Sequence, residues 1–144
     1  MIAVDTNVLV YAHRADSTHH EAAKAALERA VNGPGSVGVP WPVVHEFLAV
    51  VTHPRIYQPA TSASSASSAM AALLSAPGVH VLGEGPEHLA ILTRLLTAGP
   101  VVGPRVHDAR VAAICLDHGV DALWSADRDF SWFPDLNVVN PLVS

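Results

Sequence analysis

Short apolar runs alternate with longer stretches of helical periodicity along the whole chain. Ile2-Ala3-Val4 is an apolar run that stops at Asp5 and predicts a buried strand. Residues 7–13 predict a helix with Thr6 or Asn7 as its cap. Over residues 19–31, Ala22, Ala23, Ala26, Leu27 and Ala30 recur at helical spacing, and Asn32-Gly33-Pro34-Gly35 ends that helix. Val37-Gly38-Val39 predicts a second strand. Pro40 and Pro42 then open a third helix with a broad apolar face of Val43, Val44, Phe47, Leu48, Val50 and Val51, closed by Pro54. Residues 61–76 are rich in serine and alanine, the composition of a flexible linker. Ala63, Ala66, Met70, Leu73 and Leu74 nevertheless recur at helical intervals, with no glycine before Gly78, which favours a helix with a serine-rich exposed face.

Val79-His80-Val81-Leu82 predicts a third strand. Residues 87–98 predict a helix closed by Gly99-Pro100, and residues 105–118 another closed by Gly119. Ala122-Leu123-Trp124 predicts a fourth strand and Val138-Val139 a fifth at the sheet edge. Strands separated by helices imply an α/β fold: a mainly parallel sheet of four or five strands covered on both faces, a three-layer α/β/α sandwich.

The 144 residues suit one domain, with no internal repeat and no boundary. Half are hydrophobic and 15% charged, enough for a packed core and against disorder. The single cysteine, Cys115, excludes an intrachain disulfide, fits a reducing compartment and reads as a buried structural thiol. Asp5, Thr6 and Asn7 interrupt the first ten residues, which makes a poor signal peptide, and no apolar run has the length of a membrane span. The expectation is a soluble, cytosolic protein without a membrane partner. Eight basic against 13 acidic residues give a net charge of −5. A nucleic-acid role therefore requires local positive charge, which bound divalent metal supplies.

An open parallel sheet binds ligands beyond the carboxyl ends of its strands. Asp5 ends the first strand, while Asp127 and Asp129 follow the fourth. Glu46 and Asp108 interrupt apolar helical faces, and a carboxylate buried there must be paired, protonated or bound to a cation. Taken singly, each acid has an ordinary role: Asp5 as a cap, Asp108 as a first-turn acid favoured by the helix dipole, Glu46 as a solvated residue, Asp127 and Asp129 as loop acids. Taken together they converge on one rim, and a cluster of hard oxygen donors suits Mg²⁺ or Mn²⁺. His45 and His107 adjoin Glu46 and Asp108, but helix neighbours point about 100° apart, and no His-x-Glu or HExxH spacing suggests zinc.

Val4-Asp5-Thr6-Asn7-Val8-Leu9, Glu46 in its apolar helix, Asp108-Ala109-Arg110-Val111-Ala112-Ala113 and Leu123-Trp124-Ser125-Ala126-Asp127-Arg128-Asp129-Phe130 resemble, in that order, the motifs of the PIN-domain fold and, within it, of the VapC toxins. The resemblance implies a compact α/β/α domain that cuts RNA. It makes Asp5 and Asp108 the main metal ligands, with Glu46 and Asp127 completing an acidic pocket and Asp129 ligating directly or from behind. Asp127 is preferred over Asp129 as the fourth ligand. Thr6 or Ser125 would orient a carboxylate or a water, Ser125 standing where threonine is common, and Asn7 would hold the strand-to-helix turn. The implied reaction is metal-assisted phosphodiester hydrolysis with one or two ions and no serine, cysteine or histidine nucleophile. The implied partners are a small antitoxin whose extended segment covers the acidic site, and a second copy of the chain.

RNA must also be held. Arg14, Arg105, Arg110 and Arg128 lie near the rim in sequence and are candidate phosphate contacts. Of the tryptophans, Trp124 reads as core, while Trp132, beside Phe133 and Pro134 in a loop, is the better exposed base contact. The competing reading is the same fold with a silent site, a module that binds RNA or a protein partner. Phosphoryl transfer by an aspartyl nucleophile commonly needs a second aspartate two places on, where Asn7 stands, and no glycine-rich turn follows the first strand to bind a dinucleotide.

Overall fold

Asp5 stops the first strand because its side chain turns back on the backbone that follows. Its carboxylate accepts a hydrogen bond from the Thr6 N–H at 2.8 Å, which makes Asp5 the N-cap of the first helix. The cap expected at Thr6 or Asn7 thus lies one position earlier, and Thr6 is already the first helical residue. The structure, a computed structural model, describes residues 1–143. In chain order it runs β1 Ile2–Val4, α1 Thr6–His13, α2 His20–Asn32, β2 Val37–Pro40, α3 Trp41–Val51, α4 Ala63–Ser75, β3 Val79–Leu82, α5 His88–Thr97, α6 Arg105–Asp117, β4 Ala122–Trp124, a 3-10 turn Arg128–Trp132, and β5 Val138–Val139.

The serine-rich stretch is helical. In α4, Ala66 and Met70 are buried while Ser64, Ser65, Ser67 and Ser68 face solvent, and the Ser62 hydroxyl caps the helix by accepting from the Ser65 N–H at 3.1 Å. Trp132 does not lie in an irregular loop. It ends the 3-10 turn, which Phe130 and Phe133 anchor by burying both rings with centroids 6.2 Å apart.

The five strands form one all-parallel sheet in the order β3-β2-β1-β4-β5, within a three-layer α/β/α arrangement. β2 is buried along its whole length, and Ala3, Val4 and Leu123 of the central strands have no exposed surface. That is the pattern of a sheet covered on both faces. One continuous core joins these strands to Val43, Phe47 and Val51 of α3 and to Ala109, Ala112, Ala113 and Ile114 of α6. Cys115 sits in it fully buried, its thiol pushed up to about 12 by desolvation, so it offers no reactive thiolate. No helix among the described residues is long and apolar enough to cross a membrane.

The strand order places the functional rim. From β1 the chain first builds outward to β2 and β3, then returns to β1's other side for β4 and β5. The direction of winding reverses between β1 and β4, and at such a reversal the loops leaving two adjacent strands diverge and open a crevice. β1 and β4 pair in register, Val4 opposite Trp124, so the next residues on each strand, Asp5 and Ser125, emerge side by side at that crevice.

Candidate functional site

The two strand ends are tied together by a small polar network. The Asp5 N–H donates to the Trp124 carbonyl at 2.9 Å, continuing the ladder one step past the strand. The Ser125 hydroxyl donates to Asp5 Oδ2 at 2.7 Å and accepts from the Asp127 N–H at 3.0 Å. The Asn7 side-chain amide donates to Asp5 Oδ2 and to Ser125 Oγ, both at 3.3 Å, while its Oδ1 accepts from the Ala126 N–H at 3.1 Å. Asp127 Oδ1 in turn accepts from the Asp129 N–H at 2.9 Å, which starts the 3-10 turn. Asn7 thus does more than hold its own strand-to-helix turn: it stitches the β1 loop to the β4 loop. Thr6 is buried and serves Asp5 through its backbone N–H.

Replacing Ser125 with alanine tests how far this network holds the crevice. Ser125 is 2% exposed, and its loss leaves the Asp127 N–H without its acceptor, takes one of two acceptors from the Asn7 amide and removes a donor to Asp5 Oδ2. The expected cost is about 1–3 kcal/mol in denaturant unfolding. Ser125→Thr keeps the hydroxyl and is expected to cost less.

The crevice is a cleft of about 500 Å³ whose lining includes Asp5, Glu46, Asp108, Arg110 and Asp127 together with His45, Tyr57 and His107. Glu46 reaches it from α3 and Asp108 from the first turn of α6. Carboxylate oxygens of Asp108, Asp127 and Asp129 lie within 4.8 Å of one another, a spacing that one cation can span. Asp5 stands outside this tight group but on the same cleft, with Asp108 and Asp127 common to both.

The electrostatics mark the crevice as strained by charge. Burial pushes the Asp5 carboxyl up to about 6, against the hydrogen bonds from Ser125 and Thr6, and the charges of Glu46 and Asp127 add to the rise. Asp108 is also raised to about 6, first by desolvation and then by Asp127, Asp129 and Glu46, with His107 partly offsetting them. Five acids from four separate stretches of chain therefore repel one another across one opening. All the donors are carboxylate oxygens, the set that suits a hard divalent cation, and a bound cation relieves the repulsion.

Three readings of the sequence change in detail. Glu46 is exposed at the mouth of the cleft, so burial does not force it to find a partner: its place in α3 follows the rim rather than the apolar face of Val43, Val44 and Phe47. Arg110 lines the cleft but is held by Glu84, with Nη2 at 2.6 Å and Nε at 2.7 Å from Oε1. Arg128 is exposed at the head of the 3-10 turn between the two aspartates. His45, His107 and Tyr57 were not singled out as cleft residues from sequence. The adjacency of each histidine to an acid was the signal, blurred by the 100° step between helix neighbours, which this cleft is wide enough to span.

Comparison with known proteins accords with this geometry. The family model described as "PIN domain" matches residues 2–136. The ribonuclease VapC43 of Mycobacterium tuberculosis is 39% identical over 143 residues, covering 99% of this chain and 96% of its own. The ribonuclease VapC48 of the same organism is 34% identical, covering 95% and 94%. Among solved structures, VapBC2 from Rickettsia felis bound to a DNA fragment from its promoter superposes with a TM-score of 0.72 at 18% identity, covering 97% of this chain and 98% of that one. With the family model spanning nearly the whole chain and full-length relatives well above 30% identity, this chain belongs to the PIN-domain family.

Proposed function

We propose that this protein is a metal-dependent endoribonuclease, the toxin of a toxin–antitoxin pair, acting in the cytosol as a single PIN domain over residues 1–144. The observation that carries the reading is the carboxylate group of Asp108, Asp127 and Asp129, of which Asp108 and Asp127 line the same cleft as Asp5 and Glu46. The full-length relatives named as VapC ribonucleases support it.

Asp5, Asp108, Asp127 and Asp129 are the residues that would hold Mg²⁺ or Mn²⁺, with Glu46 closing the acidic rim from α3. A divalent ion bound there supplies Lewis-acid activation of water and neutralises charge that develops on the phosphoryl oxygens. The protein's own part is placement. Ser125 and the Thr6 N–H fix both oxygens of Asp5, so the carboxylate is oriented before any ligand arrives. The Asp129 N–H orients Asp127 in the same way. Arg110 and Arg128 flank the acids and provide positive charge for the RNA backbone, Arg110 from a position fixed by Glu84. No side-chain nucleophile is required. The proposed partners besides RNA are a cognate antitoxin, whose segment would lie across the cleft, and a second copy of the chain.

The test is cleavage of purified bacterial RNA by the metal-free protein after addition of Mg²⁺, Mn²⁺ or EDTA. Cleavage is expected with either ion and none in chelator. Activity that persists in EDTA would remove the metal-dependent assignment. Binding of RNA without cleavage in every metal condition would replace it with a silent RNA-binding module.

A further inference from the structure

RNA approaching this cleft meets an acidic opening on a chain of net charge −5. A fixed cation beside the acids is the element such a substrate needs. The arginines are not equally free to provide it. Arg14 forms a fork with Asp16, with Nη2 at 2.8 Å and Nε at 3.0 Å from the carboxylate, and Arg110 is held by Glu84. Arg105 makes no ion pair within 4.0 Å among the described residues. Its guanidinium instead lies over the Trp132 indole, with Cζ 4.1 Å from the ring centroid.

The position of that pair is set by two helical spacings. Arg105 precedes Asp108 by three residues in α6, which puts both on one face about a turn apart. Trp132 follows Asp129 by three residues in the 3-10 turn, where such residues eclipse. α6 and the 3-10 turn pack together, so the stacked pair flanks the Asp108–Asp127–Asp129 group from both elements that carry it. Stacking engages the flat face of a guanidinium and leaves its N–H donors pointing outward in the plane, free to grip a phosphate. Trp132 remains 39% exposed, so the pair is open to solvent.

We propose that Arg105, held over the Trp132 ring beside the Asp108–Asp127–Asp129 group, binds the RNA phosphate adjoining the one that is cleaved. Arg105 is then a substrate-binding residue and Trp132 its positioning residue. The proposal rests on the ribonuclease reading for the word "cleaved", and on the stacking geometry alone for the phosphate contact.

Two measurements separate these. Binding of a fluorescein-labelled single-stranded RNA oligonucleotide is followed by anisotropy over a series of KCl concentrations, in the Asp108→Asn background. Arg105→Gln is expected to weaken binding about tenfold, and to reduce the slope of log affinity against log salt by about 0.7, the loss of one phosphate contact. Arg105→Lys keeps the charge without the planar stack, so it should restore the slope and only part of the affinity. Trp132→Leu should weaken binding severalfold, and adding Arg105→Gln to it should cost less than Arg105→Gln alone, because the two act as one unit. In cleavage assays of the otherwise native chain, Arg105→Gln should raise KM about tenfold with kcat changed much less. An unchanged salt slope in Arg105→Gln, or fully additive losses in the double variant, would overturn the proposal even if the native protein cleaves RNA. A lost slope in a protein that cleaves no RNA would leave the phosphate contact standing and remove the ribonuclease reading.

Discussion

RNA cleavage by Asp108→Asn is expected to fall by on the order of a thousandfold or more, with the fold intact. The substitution keeps the shape of the side chain and removes only its charge. Asp108 belongs to the one group of three carboxylates among the described residues close enough to share a cation, and burial together with its neighbours Asp127, Asp129 and Glu46 raises its pKa. In the absence of metal the asparagine relieves that repulsion, so the thermal midpoint should stay level or rise. Loss of activity without loss of stability is what separates a ligand from a structural acid. Asp5→Asn should lose cleavage alike but at some cost in stability. Its single amide oxygen can keep the Thr6 N–H and so the α1 cap, while its Nδ2 cannot accept the Ser125 hydroxyl and the Asn7 amide that Oδ2 receives. Asp5→Ala would confuse the result by removing the α1 cap as well, at about 0.5–2 kcal/mol. Cleavage by Asp108→Asn within tenfold of the native rate would show that the acid group is not catalytic.

The strands and helices were legible because their apolar periodicities are clean. The reading of α4 is instructive: serine-rich composition pointed to a linker, yet the buried positions Ala66 and Met70 stand four apart and decide for the helix. Asp5, Asp108 and Asp127 were legible as a set because strand ends and first turns of a parallel sheet face the same rim. Two features were not. The side chain of Asn7 reaches Ser125 and Ala126, more than a hundred positions away, and no local pattern encodes a contact that depends on β1 and β4 becoming neighbours. The exposure of Glu46 was also hidden, because α3 is apolar on more than one side and periodicity alone does not say which edge of a helix lies over a crevice. The placement of Asp127 and Asp129 relative to each other depends on a turn that the sequence did not reveal. The Asp127 side chain caps the 3-10 turn that starts after it, and that turn brings Asp129 back within 4.8 Å of both Asp127 and Asp108.

The burial of Asp5, with the acids around it adding to the effect, predicts that the metal-free protein becomes more stable on mild acidification. An ordinary aspartate has a value of 3.8, while Asp5 in the fold stands at about 6. Between those values the folded chain holds a proton that the unfolded chain has released, so stability falls as pH rises through the interval and stays low above it. For Asp5 the difference corresponds to about 3 kcal/mol. Asp108 has the same sign, and its half-exposed position screens its contribution to less. Half-buried His13 works against both: desolvation lowers its pKa, so its contribution is lost as pH falls below the ordinary histidine value. The comparison that isolates Asp5 is therefore the native protein against Asp5→Asn, both in EDTA, from about pH 7.5 to about pH 5. The native protein should gain on the variant by roughly 1.4 kcal/mol over that range, the rest of the difference being reached only near the unfolded-state value. Mn²⁺ at about a hundred times its dissociation constant should stabilise the native protein by about 3 kcal/mol at the upper pH, and by less at the lower, where protons already neutralise the site. Parallel pH profiles for the two proteins would mean that Asp5 is solvated and uncrowded, and the account of Asp5 as a buried carboxyl facing other acids across the cleft would fail with it.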